Sequence, residues 1–160
     1  MAVTIERVDY TNAQQADEMV SLMRLYALDP MGGSQDLSEY VIENLASELA
    51  KRDSAFSLIA YIDGNPVGLV NCMEGFSTFS CKPLVNVHDL VVDKKYRGQG
   101  ISQLLLEKVD ELAREMGCCK VTLEVLSGNT VAKGAYQKHG FSDYALDPEK
   151  GSALFWQKIL

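Results

Sequence analysis

The stretch VVDKKYRGQGISQLLLEKV, Val91 to Val109, is where residue types and spacing first suggest chemistry. An apolar run ends in a short turn bearing Lys94, Lys95 and Arg97 with Gly98 and Gly100, and a helical pattern starts at Ile101. A helix N-terminus leaves N–H groups without intrahelical acceptors and carries the positive end of the helix dipole. Glycines ahead of that end let an anion approach the backbone closely, and phosphate is the natural guest. The basic side chains add a local positive spot to a chain whose formal net charge is −7. Glycine also serves any turn needing a positive φ, so the pair taken alone reads equally as loop geometry.

Two nucleotide loops are excluded by spacing. A P-loop, G-x-x-x-x-G-K-S/T, requires a lysine after the second glycine, and Ile101 and Ser102 follow Gly100. A dinucleotide fingerprint requires a third glycine where Gln103 stands. A second constellation lies downstream in NTVAKGAYQKHGF: Asn129 suits a helix cap, and Tyr136 follows about two turns later on the same side. A third is NVHDLVV, where His88 and Asp89 alternate across a strand. An imidazole titrates near neutrality and suits proton transfer. His88 reads equally as a base or as a strand residue hydrogen-bonded within the sheet.

The elements that must position these groups follow from periodicity. VTIERV alternates as a strand, and a helix capped by Thr11 or Asn12 then carries Ala16, Met19, Val20, Met23 and Ala27 on one face. Pro30 and the Gly32–Gly33 pair stop it. Asp36 with Glu39 predicts a capping box for a second helix whose inward face is Val41, Ile42, Leu45 and Leu49. AFSLIAYI and VGLVNCMEGF around Gly64 predict a hairpin, and Leu84–Val92 a central strand. After the glycine turn comes a long helix with Ile101, Leu104, Leu105, Val109, Leu112 and Met116 inward, closed by Gly117. Lys120–Leu126 predicts a strand, Asn129–His139 a helix, and FSDYALD with ALFWQKIL a closing hairpin. Strand, helix, strand over Leu84–Leu126 requires a parallel right-handed crossover. The expected class is therefore α/β, with a mixed, largely antiparallel sheet and helices on both faces.

Bulk composition narrows the rest. A chain of 160 residues with no repeat or linker fits one domain, residues 1–160. The acidic balance argues against nucleic acid and mildly favours a cationic or neutral ligand. No apolar run approaches the ~20 residues of a membrane span. The start, MAVTIERVDY, has no basic segment before an apolar one, so no secretory signal is expected. The four cysteines form no CxxC pair and no Cys/His ligand spacing, so no metal is expected, and free thiols in a cytoplasmic setting are the simplest account.

The turn Arg97-Gly98-Gln99-Gly100-Ile101-Ser102 resembles the acyl-CoA loop of the GNAT N-acyltransferase superfamily, Q/R-x-x-G-x-G/A, with Ser102 as the departure. Asn129, Ala132, Tyr136, Gly140 and Phe141 are similar to that family's downstream N-x-x-A-x-x-x-Y-x-x-x-G-F, and the element order matches over nearly the whole chain. The resemblance implies the GNAT fold and transfer of an acetyl group from acetyl-CoA to a primary amine. It implies that the backbone of Arg97 through Ser102 holds the CoA pyrophosphate, with Lys94 or Lys95 near the nucleotide phosphates and Asn129 beside the cofactor. It implies that a backbone N–H within Leu90, Val91 and Val92 polarises the thioester, and that Tyr136 protonates the departing thiolate.

The HDLVVDKKYRGQGI region resembles the diamine acetyltransferases, in which a glutamate stands where His88 falls; Asp89 matches a frequent family aspartate and reads as structural first. Acceptor residues are expected in LYALDPMGGSQD and MEGFSTFS, with Tyr26, Asp29, Glu74 and Phe76 lining a small-amine pocket and Phe79 nearby. Asp29 and Glu74 read as ordinary solvated loop carboxylates when taken alone. A small cationic amine leads; protein amines, or a non-catalytic acyl-CoA sensor, are the alternatives. The family often forms homodimers, and the sequence itself carries no interface signature.

Overall fold

The computed structural model describes residues 2–160, which fall into two compact units divided between Leu123 and Glu124. The first holds β1 (Val3–Arg7), α1 (Ala13–Leu28), α2 (Glu39–Ala50), β2 (Ala55–Ile62), β3 (Asn65–Ser77), β4 (Lys82–Val92), α3 (Ile101–Glu115) and β5 (Val121–Leu123). The strands form one sheet in chain order, antiparallel except for the parallel β4–β5 pair. The mixed sheet with a strand–helix–strand core expected from the element order is present.

Chemistry at each boundary explains these elements. Asp63 (φ 51°) and Gly64 (φ 76°) both take positive φ, the geometry that closes a two-residue hairpin between β2 and β3. Every residue of β2 is buried, as an apolar strand covered on both faces must be. Ile59, Tyr61, Leu69 and Val91 belong to a core with Met19, Val20 and Leu22 of α1, against which Ile42, Leu45, Ala46 and Leu49 of α2 pack. The opposite face of the sheet belongs to α3. A Cβ on Gly68 would stand 3.2 Å from both Ile101 Cγ2 and Leu105 Cδ1 and 3.3 Å from the Val91 carbonyl. Glycine in mid-strand thus lets the first turn of α3 sit close to the sheet.

Several expected boundaries shift. Asn12 caps α1, its Oδ1 accepting from Gln15 N at 3.0 Å. Ser38, not Asp36, caps α2, with Oγ accepting from Val41 N at 3.3 Å. Asp36 instead receives Arg24, Nη2 to Oδ2 at 2.7 Å, so its charge meets a guanidinium while Glu39 occupies the helix's first turn. On α3 the buried stripe is Ile101, Leu105, Leu106, Val109 and Ala113, and Leu104 is 37% exposed. β5 is shorter than expected, pairing only at Val85–Val87.

The second unit holds α4 (Thr130–His139), capped by Asn129, whose Oδ1 accepts from Ala132 N at 3.2 Å, and ended by Gly140 at φ 108°. The expected C-terminal hairpin does not form. Beyond Gly140 the described residues hold a 3-10 turn at Pro148–Lys150 and, across it, the backbone bond from Ala153 N to Tyr144 O at 2.9 Å. A lone two-stranded hairpin is marginal without a third strand or a helix to cover it, and this unit contains no other strand among the described residues. Among the described residues no helix is long and apolar enough to cross a membrane.

Candidate active site

The glycine turn is assembled from the end of β4 to the start of α3. Asp93 accepts Lys95 N at 3.0 Å and opens a 3-10 turn, Lys94–Tyr96. Gly98 (φ 78°) and Gly100 (φ 77°) then take left-handed backbone, which only glycine adopts without strain, and a Cβ on either would meet nothing within 4 Å. Gly100 is the N-cap of α3 and, having no side chain, gives the N–H groups of Ile101 and Ser102 no cap of its own. Arg97 is fixed by donating Nε to Val92 O at 3.1 Å and Nη2 to Asp29 Oδ2 at 3.2 Å. The result is an open cradle with backbone donors, a helix dipole and three basic residues.

The end of β4 leading into this turn is irregular. Asn71 pairs with Asp89, and the next β3 residue, Cys72, pairs with Val87, so His88 is the extra residue of a bulge. Partners directly across a ladder share a face, so Asp89 joins Asn71 on the α1–α2 side while Val87 joins Cys72 on the α3 side. His88 is exposed. Beyond Val87, β4 has no β5 partner. Asp93 N bonds to Val67 O on β3, so by alternation the N–H groups of Leu90 and Val92 point to the open side and that of Val91 toward β3. A strand edge opened in this way offers main-chain donors to a polarised carbonyl.

The loop after α1 folds back onto these groups. Asp29 begins the 3-10 turn Pro30–Gly32, and a Cβ on Gly32 would lie 1.8 Å from Tyr26 O, so only glycine fits there. The Met31 N–H, and then Arg97, hold the Asp29 carboxyl below the usual range. Tyr26 is pushed up by burial and by the charges of Asp89 and Asp29. Tyr26, Asp29, Asp89 and Arg97 thus gather where α1 ends and β4 opens, with His88 next to Asp89 in the strand. Glu74 and Phe76 lie farther along β3, opposite Val85 and Pro83, and both are exposed. Tyr136 and Asn129 belong to the second unit, where Tyr136 meets Phe141 edge to face at 5.9 Å between ring centres.

Sequence reasoning passed over a row of polar side chains beneath α1. Tyr10 Oη and Ser57 Oγ are 2.8 Å apart, Ser57 Oγ donates to Asn71 Oδ1 at 2.6 Å, and Asn71 Nδ2 donates to Asp89 Oδ2 at 3.1 Å. The signal was legible: Ser57 and Asn71 interrupt otherwise apolar strand runs. Cys72 behind them is buried and its thiol is pushed up to about 12, chiefly by burial, so it stays a neutral packing group.

Known proteins share both sequence and fold with this chain. The family model described as acetyltransferase (GNAT) family matches residues 19–141. An uncharacterised N-acetyltransferase of Methanocaldococcus jannaschii is 32% identical over 96 residues, 59% of this chain and 42% of that protein. The thialysine N-epsilon-acetyltransferase of Sus scrofa is 34% identical over 87 residues, 50% of this chain and 49% of that protein. The chain therefore spans about half or less of the length of these two relatives. AAC(6')-Iy, solved with the bisubstrate analogue CoA-S-monomethyl-acetylneamine, superposes with a TM-score of 0.78 at 17% identity over the full length of both chains, a likeness of fold. With the family model spanning most of its length, the chain belongs to the acetyltransferase (GNAT) family.

Proposed function

We propose that this GNAT acetyltransferase transfers an acetyl group from acetyl-CoA to a primary amine of a small cationic molecule, residues 1–160 acting as one domain. The observation that carries the reading is the N-terminus of α3, without a side-chain cap, behind two left-handed glycines, following directly on a strand edge that β5 leaves unpaired beyond Val87. The family model running unbroken across the division at Leu123–Glu124 supports one domain. Amine chemistry is supported by the thialysine-acetylating relative, and a cationic acceptor by the net charge of −7.

Acetyl-CoA, when bound, supplies an activated acetyl thioester. The turn fits its pyrophosphate because the space beside Gly98 and Gly100 is open and Lys94, Lys95 and Arg97 supply positive charge at the start of α3. Arg97, tied to Val92 O and Asp29, keeps the turn in register with β4. Leu90 N–H and Val92 N–H polarise the thioester carbonyl, with Val91 packed in the core between them. The acceptor must attack as a free amine, and His88 takes its proton directly or through water. Tyr136 holds the proton for the departing sulfur, and Asn129 sets the start of the helix that carries it. Tyr26 and Asp29 border the acceptor pocket, whereas Glu74 and Phe76, expected there, stand farther along β3 on the α3 side.

The test is thiol release from acetyl-CoA against a panel of diamines, amino acids, aminoglycosides and a peptide with a free N-terminus. Diamines should rank first. Tyr136→Phe should lower kcat by about 100-fold or more, the range of a lost general acid, with CoA affinity unchanged. Tight CoA binding without thiol release on any amine would make the chain an acyl-CoA sensor instead.

A further inference from the structure

The polar row across the sheet runs in one direction. Ser57 (0% exposed) and Asn71 (8%) are buried, and with Asp89 they are successive register partners on β2, β3 and β4. The single hydroxyl hydrogen of Ser57 goes to Asn71 Oδ1, so Tyr10 must donate to Ser57. The amide of Asn71 is oriented by its neighbours, because its oxygen turned toward Asp89 would oppose a carboxylate. Each donor therefore points the same way, from Tyr10 through Ser57 and Asn71 to Asp89. Aligned hydrogen bonds polarise one another, and this chain ends on the one group in the row that bears charge.

Among the described residues Asp89 has no counter-ion. Among the described residues no lysine, arginine or histidine lies within ion-pair distance of it, and no protein donor reaches its Oδ1. Asp29, the other carboxylate near Tyr26, is by contrast engaged by Arg97 and the Met31 N–H. A half-buried carboxylate satisfied on one oxygen by a neutral amide leaves a place for a cation on the other. The bulge at His88 is what brings it there, since without the extra residue Asp89 and Val87 would share a face.

We propose that Asp89 is the binding residue for the ammonium group of the acceptor, and that Asn71, braced by Ser57 and Tyr10, positions it. This rests on the reading of the chain as an amine acetyltransferase, and it deepens that reading by naming the charge that selects a cation. His88, next in the strand and exposed, is left free for proton transfer. Arg97 and Lys94 stay with the donor, so the two substrates meet opposite charges on adjacent segments of β4 and its turn.

The experiment measures binding of 1,4-diaminobutane to the full chain saturated with CoA, by calorimetry, beside binding of CoA alone. Asp89→Asn should weaken the diamine about 10-fold or more, the scale of a lost charge-assisted contact, and leave CoA affinity within about 2-fold. Asn71→Leu should weaken the diamine by about 3- to 10-fold with the same CoA control, because the carboxylate remains and loses its orientation. Should Asp89→Asn fail to fold, Asn71→Leu carries the test: weaker diamine binding at unchanged CoA binding supports the proposal, and unchanged diamine binding overturns it. Wild-type diamine affinity in Asp89→Asn, or equal loss of diamine and CoA, also overturns it. Failure of the catalytic reading is seen separately, as absence of thiol release in the wild-type chain while diamine binding still reads Asp89.

Discussion

On one face of the first unit's sheet, Phe56, Leu58, Val70, Cys72 and Val87 lie under α3 and every one of them is buried and apolar or neutral. On the other face, the apolar cluster of Ile59, Leu69, Val91 and α1 surrounds a row of hydrogen-bonded side chains that ends in a carboxylate. The strands are the same; the partner helices and the charge differ. Packing alone suffices to hold α3, and with it the glycine turn, at a fixed height above the sheet. Holding a charge requires directional partners, because a buried carboxylate without them would be too costly. The α3 face thus sets where the glycine turn stands, and the α1–α2 face is the one that holds a charge at Asp89.

If the α3 face is pure packing, the largest effect in the unit should come from hollowing it. Leu105 is 0% exposed and presses against Gly68. Leu105→Ala should cost about 2–5 kcal/mol in urea unfolding, the range for a buried leucine replaced without collapse of the cavity. A loss below about 1 kcal/mol would mean that α3 rests on the sheet less tightly than the packing implies.

Gly68→Ala attacks the same contact from the other side. The added Cβ meets two fully buried side chains and a backbone carbonyl, none of which is the loose end of a flexible chain. Overpacking of this kind should cost about 1–3 kcal/mol. Because the displaced residues are Ile101 and Leu105, the first turn of α3 should lift and CoA affinity should fall with stability. Leu105→Ala, by contrast, should leave CoA affinity nearly intact while the protein is folded. If Gly68→Ala changes stability and spares CoA affinity, the turn is positioned by its own hydrogen bonds rather than by the packing under α3.

On the polar face the expected effect is smaller. Ser57→Ala leaves Asn71 Oδ1 and Tyr10 without their partner, which should cost about 1–2 kcal/mol. Ser57→Ala should also weaken 1,4-diaminobutane slightly, with CoA binding untouched. A stability loss with no effect on the diamine would confine Ser57 to structure and cut the row at Asn71.

Most of the architecture of the first unit was legible because its boundaries are written in local chemistry: the Asp63–Gly64 turn, Pro30, Asn12 and Gly117. The glycine turn and its helix followed from residue type and spacing alone. The cap of α2 was misread, since Asp36 and Ser38 are both good caps and only the position of Arg24 across the loop decides between them. The C-terminal hairpin was misread because alternation reports a strand's preference, while pairing depends on a neighbouring strand that the sequence does not reveal. The bulge at His88 was invisible for the same reason: it is a relation between β3 and β4, and neither strand shows it alone. Without the bulge, Asp89 could not be assigned a face, and neither strand alone links Ser57 and Asn71 to it.

The smallest effect should lie at Asp29, which joins the loop after α1 to the glycine turn. Its carboxyl is lowered first by the Met31 N–H and then by Arg97, whose side chain is half exposed. A depressed carboxylate contributes stability above its unfolded value, about 3.9, and loses it as pH falls through the folded value. Asp29→Ala removes cap and charge together and should cost about 1 kcal/mol at pH 7, as other N-cap deletions do. Asp29→Asn keeps an oxygen for Met31 and loses only the charge, so it should cost less than half as much. The gap between wild type and Asp29→Asn should be flat from neutral pH down to about 5, shrink as pH falls below about 4, and vanish only once pH is below the lowered folded value. High salt should shrink that gap in part, because the Arg97 pair is screened and the Met31 N–H is not. If salt erased the gap altogether, Arg97 and not Met31 would be what holds Asp29, and the loop after α1 would be coupled to the glycine turn by charge alone.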